Sequence, residues 1–543
     1  MLTNISNISV RTGAEPPTPS TRQPRDGKVL LIKPPFFTPS NPPLGISIIK
    51  AYLQSAGFTV RCLDHNVDED LWMTHHTYFR ALQRGSGESF SDGYSKFWWV
   101  MDAHLLAYAN GASSQECARV VKAVCPYYAI RVDPLAIPEL INIIERFYRK
   151  LEGLVDSIDL SGYQCVGVST YTTSLGPSLH TLRRIKQRYP KIKTVMGGGV
   201  FADDLAAGSD NLTVLLEQYP FLDHVILGEG EMLLLHLLTG DLAGKRVLSI
   251  EDMNGATLDM NVLPAPDYSD FDMDKYFHLS IEGARSCPFQ CTFCSETIQW
   301  GEYRMKPIDR FANQVVELAQ RHGNKSYLFG DSLMNPYLNR FAQALINSGA
   351  DVRYDGYLRA DQPVADRAKT QIWARSGLYR ARLGVESAAP NVLKLMHKMT
   401  NPKTISEAVR SLAAAGVRTT TYWVVGFPGE TDDDFEETLE FIRAHSSDIY
   451  ELEGHPYWYY PYGQVGSRLF KSESLYPEEM TELLKFRIWD IPDVQPSREV
   501  RYARLHKMAE AAFKLELPNI YTLKERYQAE KRWHALHPNA RAI

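Results

Sequence analysis

The sequence predicts an α/β protein: an N-terminal doubly wound sheet, then a partial (β/α)6 barrel, then a helical C-terminal tail. Three observations carry that expectation. Short apolar runs of strand length alternate with helix-period segments in two separate series. Runs of the first series end in Pro or Gly, as buried parallel strands do where the chain leaves the sheet. A connector, residues 246–277 and rich in Pro and Asp from Pro264 onward, separates the two series.

In the first series, residues 28–245, Val29–Ile32 reads as a strand stopped by Lys33-Pro34-Pro35. Leu44–Ala56 reads as a helix and Thr59–Leu63 as a second strand. Cys165–Ser169, Ser178–Gln187, Thr194–Met196 and His224–Leu227 continue as strand, helix, strand and strand. The last two strands run into Gly197-Gly198-Gly199 and Gly228-Glu229-Gly230-Glu231. Such a Rossmann-like sheet binds ligands at the carboxyl ends of its strands, so these glycines mark candidate ligand loops. Residues 71–159, with His75, His76, Trp98, Trp99 and His104, interrupt the pattern. A structureless loop of that length is improbable, so a helical insertion is expected, either a packed cap or a substrate-shaping lid.

The second series, residues 278–475, places strands at His278–Ile281, Lys325–Phe329, Val352–Leu358, Arg380–Leu383, Thr419–Val425 and Ile449–His455. Six units fit a partial barrel better than a closed eight-unit one. Residues 476–543 are charged and helix-patterned, with Trp489, Tyr502, Tyr521 and Trp533 along them. Residues 1–27 read as a disordered leader without the apolar core of a secretory signal. With 44% hydrophobic residues in 543, the chain has ample material for buried cores. A net charge of −5 removes the general electrostatic case for a nucleic-acid partner. No apolar run approaches the roughly 20 residues of a membrane span, so no membrane partner is expected. Seven cysteines in so long a chain are too sparse for a disulfide scaffold, and a cytoplasmic location is expected.

Three of those cysteines stand within eight residues, as Cys287-Pro-Phe-Gln-Cys291-Thr-Phe-Cys294. A structural zinc site wants four ligands, commonly two pairs, and no second CxxC pair exists. A zinc completed by a His is the alternative. A four-iron cluster normally takes four cysteines, so three leave one iron open to a ligand from outside the protein.

With Phe293 before its last cysteine, this segment resembles the motif of the radical S-adenosylmethionine enzymes; Ser286 stands where glycine is common. The resemblance implies a [4Fe-4S] cluster held by Cys287, Cys291 and Cys294. Its open iron would chelate S-adenosyl-L-methionine, whose reductive cleavage gives methionine and a 5′-deoxyadenosyl radical. An electron donor such as flavodoxin or ferredoxin is then implied. Phe293 would lie beside the cofactor. Leu328–Asn335 resembles the polar end of the family's second strand, where Asp331 would hold the methionine amine or substrate, or else serve a turn. Arg359 could pair a carboxylate bidentately, or simply be exposed. Leu383-Gly-Val-Glu-Ser387 resembles the fourth-strand segment, with Glu386 and Ser387 on the ribose or amino-acid end, or Glu386 in a structural ion pair. Val424–Glu430 resembles the fifth-strand motif, where Gly426 and Gly429 would admit adenine against the backbone. Tyr459–Gly463 and Gly466–Leu469 resemble the segment after the sixth strand.

In order and spacing, Lys33–Phe36, Pro43–Gly45, Gly197–Gly199 and Leu227–Glu231 resemble the cobalamin-binding domain fused to many of these enzymes. That resemblance implies cobalamin contacts from Pro35, Ser169, Thr170, Tyr171, Gly197, Gly198, Gly199, Gly228, Glu229 and Gly230. Asp64-His65-Asn66-Val67-Asp68-Glu69 departs from the Asp-x-His-x-x-Gly pattern that puts an imidazole on cobalt. Neither His65 nor His75 nor His76 fits that geometry, which predicts cobalt without a protein imidazole. The implied activity is a cobalamin-dependent radical methyltransferase acting on an unactivated carbon, or phosphorus, of a small-molecule or peptide natural-product precursor. A rearrangement, ring contraction or cyclisation using the same cofactors is the alternative. A methylthiotransferase would need a second cysteine triplet, which the N-terminal half lacks.

Overall fold

Strand β1 (Lys28–Lys33) buries Val29 and Leu31 on one face and Leu30 and Ile32 on the other. Side chains alternate along a strand, so a strand apolar at every position needs cover on both sides. The chain supplies it in order: α1 (Leu44–Ser55), β2 (Thr59–Asp64), α2 (Glu69–Ser86), α3 (Phe90–Ala109), α4 (Ser114–Val124), α5 (Ile137–Asp156), β3 (Tyr163–Ser169), α6 (Leu175–Arg188), β4 (Lys193–Gly197), α7 (Asp210–Gln218), β5 (His224–Ile226), α8 (Gly230–Thr239) and β6 (Val247–Leu248). The six strands form one parallel sheet in the order β2-β1-β3-β4-β5-β6. Helices α1 and α8 pack on the Val29 face, and α6 and α7 on the Leu30 face. Strand order reverses between β1 and β3, and a crevice opens at the carboxyl ends of such neighbours.

The 71–159 interruption is built from α2 to α5. Their Phe79, Leu82, Leu106, Phe147 and Leu151 share one core with Leu30, Ile32, Val166 and Val168 of the sheet. Trp99 of α3 also meets Trp458 of the second half edge to face, at 5.4 Å between ring centroids.

The second sheet is parallel too. Its strands are β7 (Leu279–Ile281), β10 (Ser326–Phe329), β11 (Arg353–Arg359), β12 (Leu378–Glu386), β13 (Arg418–Val425) and β14 (Glu451–Pro456), adjacent in chain order. A two-residue hairpin, β8 (Ala284–Arg285) with β9 (Arg304–Met305), brackets the cysteine segment. The partial barrel is thus the expected one. The hairpin and β6 were not expected, because two-residue strands carry no periodic signal.

The computed structural model describes residues 27–540 apart from 38, 87–89, 325, 472, 475–488, 518–522 and 539. The leader expected over 1–27 falls outside the described residues except for Gly27, as do Tyr521 and the first part of the tail. Two described tail helices, Arg498–Lys514 and Leu523–Leu536, dock on the barrel. Arg418, fully buried at the start of β13, donates to both carboxylate oxygens of Glu530 at 2.8 and 2.6 Å, and Tyr450 donates to the same group at 2.7 Å. Replacing Glu530 by Ala strips a buried guanidinium of that counter-charge. The chain should lose about 3 kcal/mol of unfolding free energy, read from a denaturant midpoint. An unchanged midpoint would show that the last helix does not hold the barrel.

Candidate functional site

The cysteine segment leaves β8 through Ser286, whose φ of +70° lies in the left-handed region. That is the physical reason glycine suits this position. Ser286 tolerates it with its hydroxyl donating to the Gly301 carbonyl at 2.6 Å. Backbone bonds then stitch the loop to two neighbours. Thr292 N–H donates to Met396 O at 3.0 Å. On the other side, Gly466 N–H donates to Thr292 O at 2.8 Å and Val465 N–H to Cys294 O at 3.1 Å. Gln464, buried, donates its side-chain amide to Phe293 O at 2.8 Å. Sequence reasoning missed Gln464, since a glutamine between two glycines carries no signal of its own.

Cys291 is buried, and Cys287 and Cys294 are partly so. Burial pushes the Cys294 thiol up to about 12 and raises Cys287 as well. The protein alone therefore keeps Cys287 and Cys294 protonated, and a metal must deprotonate those two on binding. Arg359 lies on the β11 end with Nη1 3.6 Å from Cys291 Sγ and its guanidinium 4.1 Å from the centre of the Phe289 ring. Its Nη2 is buried with no hydrogen-bond partner, although Asn335 fixes the backbone of the residue through paired bonds of 2.9 and 3.0 Å. The exposed reading of Arg359 is corrected: only 4% of it is accessible. Three thiols on one loop, beside a cation with an unsatisfied donor, fit an anionic iron–sulfur cluster. Among the described residues no three His, Cys, Asp or Glu converge on one ion position. Three thiolates that each bind a separate iron need no such convergence.

Several predicted ligand contacts turn out to be committed to the protein. Asp331, fully buried, accepts from the Gly283 and Ala284 N–H groups and from the Tyr337 hydroxyl, at 2.6–3.1 Å. Burial pushes its carboxyl up to about 7 against those bonds. These bonds pin the corner after β7. Glu386, at φ +69°, pairs with Lys398 at 2.8 Å, and Lys398 lies over the Phe293 ring at 5.6 Å. Of the two readings left open for Glu386, the structure takes the ion pair. Ser387 bonds to Thr438 and to Ala389 N–H. Gly426, at φ +76°, donates its N–H to Glu430, and a Cβ there would meet the Arg501 side chain at 2.0 Å. The Gly429 N–H is taken by Gln495 O.

At the other sheet, Lys33 ends β1 with its ammonium 3.2 Å from Ser169 O and 3.9 Å from the Tyr171 ring centre. Phe37 stacks on Tyr171 at 5.4 Å. The loops after β3 and β4 interlock: Thr170 N–H donates to Gly197 O, and Val200 N–H to Thr170 O. Gly198 holds φ +116°, where a Cβ would lie 2.4 Å from Thr170 O; one on Gly199 would strike the Tyr171 ring. The Thr170 backbone alone thus demands glycine at 198, whatever ligand it meets. The Thr170 hydroxyl donates to Ser178 and the Thr172 hydroxyl to Asp204. Pro35 is buried, and Gly230 packs against Ile49. Glu229 is ion-paired with Arg285 and Arg304. His75 is buried between Trp98 and Phe36, and His65 is buried beyond β2.

The two faces meet. The Tyr171 ring is 42% exposed, yet burial and then the carboxylates of Glu296, Asp203 and Glu282 raise its phenol. Exposed as it is, the phenol still feels two carboxylates of the second half, Glu296 and Glu282. A Cβ on Gly228 would come within 3.9 Å of Gln299 O, in the helix Glu296–Trp300 that follows the cysteines. A separate cavity of 1120 Å³, between β14 and the tail helices, shares no lining residue with the cysteine loop.

Residues 281–442 match the Radical SAM superfamily. The chain is 26% identical over 312 residues to an anaerobic magnesium-protoporphyrin IX monomethyl ester cyclase of Rubrivivax gelatinosus, covering 52% of this chain and 55% of the relative. An uncharacterized methyltransferase of Pyrococcus horikoshii is 24% identical, covering 57% and 73%. The chain spans about half the length of the cyclases it matches. Among solved structures, the radical S-adenosylmethionine methyltransferase TsrM from Kitasatospora setae, with cobalamin and a [4Fe-4S] cluster bound, matches with a TM-score of 0.60 at 14% identity. That match covers 95% of this chain and all of TsrM, so the fold is shared across both halves. The chain carries a radical SAM domain. No helix among the described residues is long and apolar enough to cross a membrane.

Lys33 provides a test of the first face. Burial lowers its ammonium to about 7, with Asp64 opposing. The folded chain then gives up this proton near neutrality and the unfolded chain near 10.5, so stability rises with pH between those values. Lys33→Met abolishes that titration. The variant's stability relative to the parent should be greatest at about pH 7 and shrink by about pH 9.5, measured by chemical denaturation. A gap that does not vary with pH contradicts the burial.

Proposed function

We propose that the chain is a cobalamin-dependent radical S-adenosylmethionine methyltransferase acting on a small-molecule or peptide substrate. The observation that carries this reading is the meeting of two strand-end faces. One bears three cysteines on a single loop, the other the β1/β3 switch point with its Tyr171–Phe37 shelf. When bound, the cluster would supply the electron that cleaves S-adenosyl-L-methionine, and cobalamin would carry the methyl group. Cys287, Cys291 and Cys294 would hold the cluster. Arg359 supplies positive charge beside Cys291, and its unsatisfied Nη2 is free to meet a sulfide or a carboxylate. Lys398, neutralising Glu386 under Phe293, keeps the β12 end compact against the loop. The shelf and the close glycine turns offer flat apolar surface and exposed backbone to a corrin. The matching structure of TsrM, described with cobalamin and a cluster, supports both cofactors. A flavodoxin or ferredoxin would serve as electron donor, in the cytoplasm.

Cyclisation or rearrangement is the second reading, because the first sequence relatives are cyclases. The two differ in how S-adenosyl-L-methionine is spent. A methyltransferase forms S-adenosylhomocysteine as well as methionine and 5′-deoxyadenosine; a non-methylating enzyme forms only the latter two. Reconstituted chain, reduced with cobalamin present, should give S-adenosylhomocysteine. Its absence, with 5′-deoxyadenosine still formed, would favour the cyclase reading.

Anaerobic reconstitution should give about four irons per chain, and Ala at Cys287, Cys291 or Cys294 should abolish 5′-deoxyadenosine formation. Cleavage by a triple Ala variant would sink the reading. A cobalt ligand must be oriented by its own hydrogen-bond partner, and His65 and His75 lie buried within the fold. The cob(II)alamin EPR spectrum should therefore lack nitrogen coupling from an imidazole, and His65→Ala should leave it unaltered. Coupling that vanished in that variant would contradict the placement of His65.

A further inference from the structure

A buried ion network crosses between the two sheets at the base of the cysteine loop. Arg285 of β8, its side chain 4% exposed, donates to Glu229 and Glu231 of the first half at 2.8 and 2.6 Å. It also donates through Nε and Nη2 to Glu282, at 2.8 and 2.6 Å. Arg304, its partner across the hairpin, reaches Glu229 at 2.9–3.0 Å and binds the carbonyls of Leu258 and Trp300. Three carboxylates meet two guanidiniums, and Lys306, also buried, feels the Glu282 carboxylate.

This arrangement does work that local structure cannot. The hairpin has two residue pairs and the helix after the cysteines has five residues, too little to fix a loop by themselves. Bidentate guanidinium–carboxylate bonds add directional restraint. Glu229 immediately follows Gly228, whose turn approaches Gln299 behind the cysteines. Any shift of the network therefore moves the rim of one face against the other.

We propose that Glu229, Glu231, Arg285 and Arg304 are positioning residues, a clamp that sets the distance between the cysteine loop and the ligand face of the first sheet. This rests on the two-cofactor reading for its purpose, but its mechanical part is independent of that reading.

The test is the variant Glu229→Gln/Glu231→Gln, with Glu229→Gln alone as the milder version should the double variant not fold. Glu436→Gln, which breaks an exposed pair with Arg443 and Lys507, is the control. In the chain without cofactors, hydrogen exchange over residues 286–303 should become about tenfold faster in the clamp variants and stay unchanged in the control. In the loaded chain, pulsed EPR between the reduced cluster and cob(II)alamin should show a shifted or broadened distance distribution. Exchange at the parental rate overturns the clamp. Faster exchange with an unaltered distance distribution also overturns it, leaving a purely structural network. A parent chain that holds no corrinoid overturns the two-cofactor reading instead, and the exchange rates still decide whether the loop is clamped.

Discussion

A parallel sheet delivers the carboxyl ends of all its strands to one edge, and this chain has two such sheets with those edges turned toward each other. Everything else in the site follows from that constraint. Loops with chemical side chains collect on one rim of each sheet, so Tyr171 comes within electrostatic reach of Glu296, and Gly228 close to Gln299. Gly463 passes so close to the Ala202 carbonyl that a Cβ would lie 2.3 Å from it.

Polar groups along those rims are mostly engaged with one another. Asp331 spends its carboxylate on backbone N–H groups, Thr170 and Thr172 bond within the first sheet's loops, and Glu386 is neutralised by Lys398. A buried carboxylate or hydroxyl must be satisfied before any ligand arrives, and here the protein itself satisfies it. Arg359 Nη2, buried without a partner, is an exception.

The first sheet was legible because β1 is apolar on both faces and its strands run into Pro or Gly, and the second because strand-length and helix-length segments alternate, patterns local in sequence. Likewise, Cys287, Cys291 and Cys294 are local, and they emerge on one loop as their spacing required. The partners were not legible. Arg285 finds Glu229 and Glu231 more than fifty residues away, Lys398 turns back to Glu386, and Gln464 reaches the cysteine loop across 171 positions. Such pairings are set by tertiary contact, which a single sequence does not display. The glycine run Gly197–Gly199 read as a ligand cradle, when steric demand from the Thr170 backbone already accounts for Gly198.

Native mass spectrometry under anaerobic conditions tests the central claim most directly. The chain, reconstituted with iron, sulfide and hydroxocobalamin, should carry one four-iron cluster and one corrinoid together, and the triple cysteine-to-alanine variant should lose the cluster while keeping the corrinoid. A chain that accepted either group only at the expense of the other would contradict two separate faces sharing one cleft.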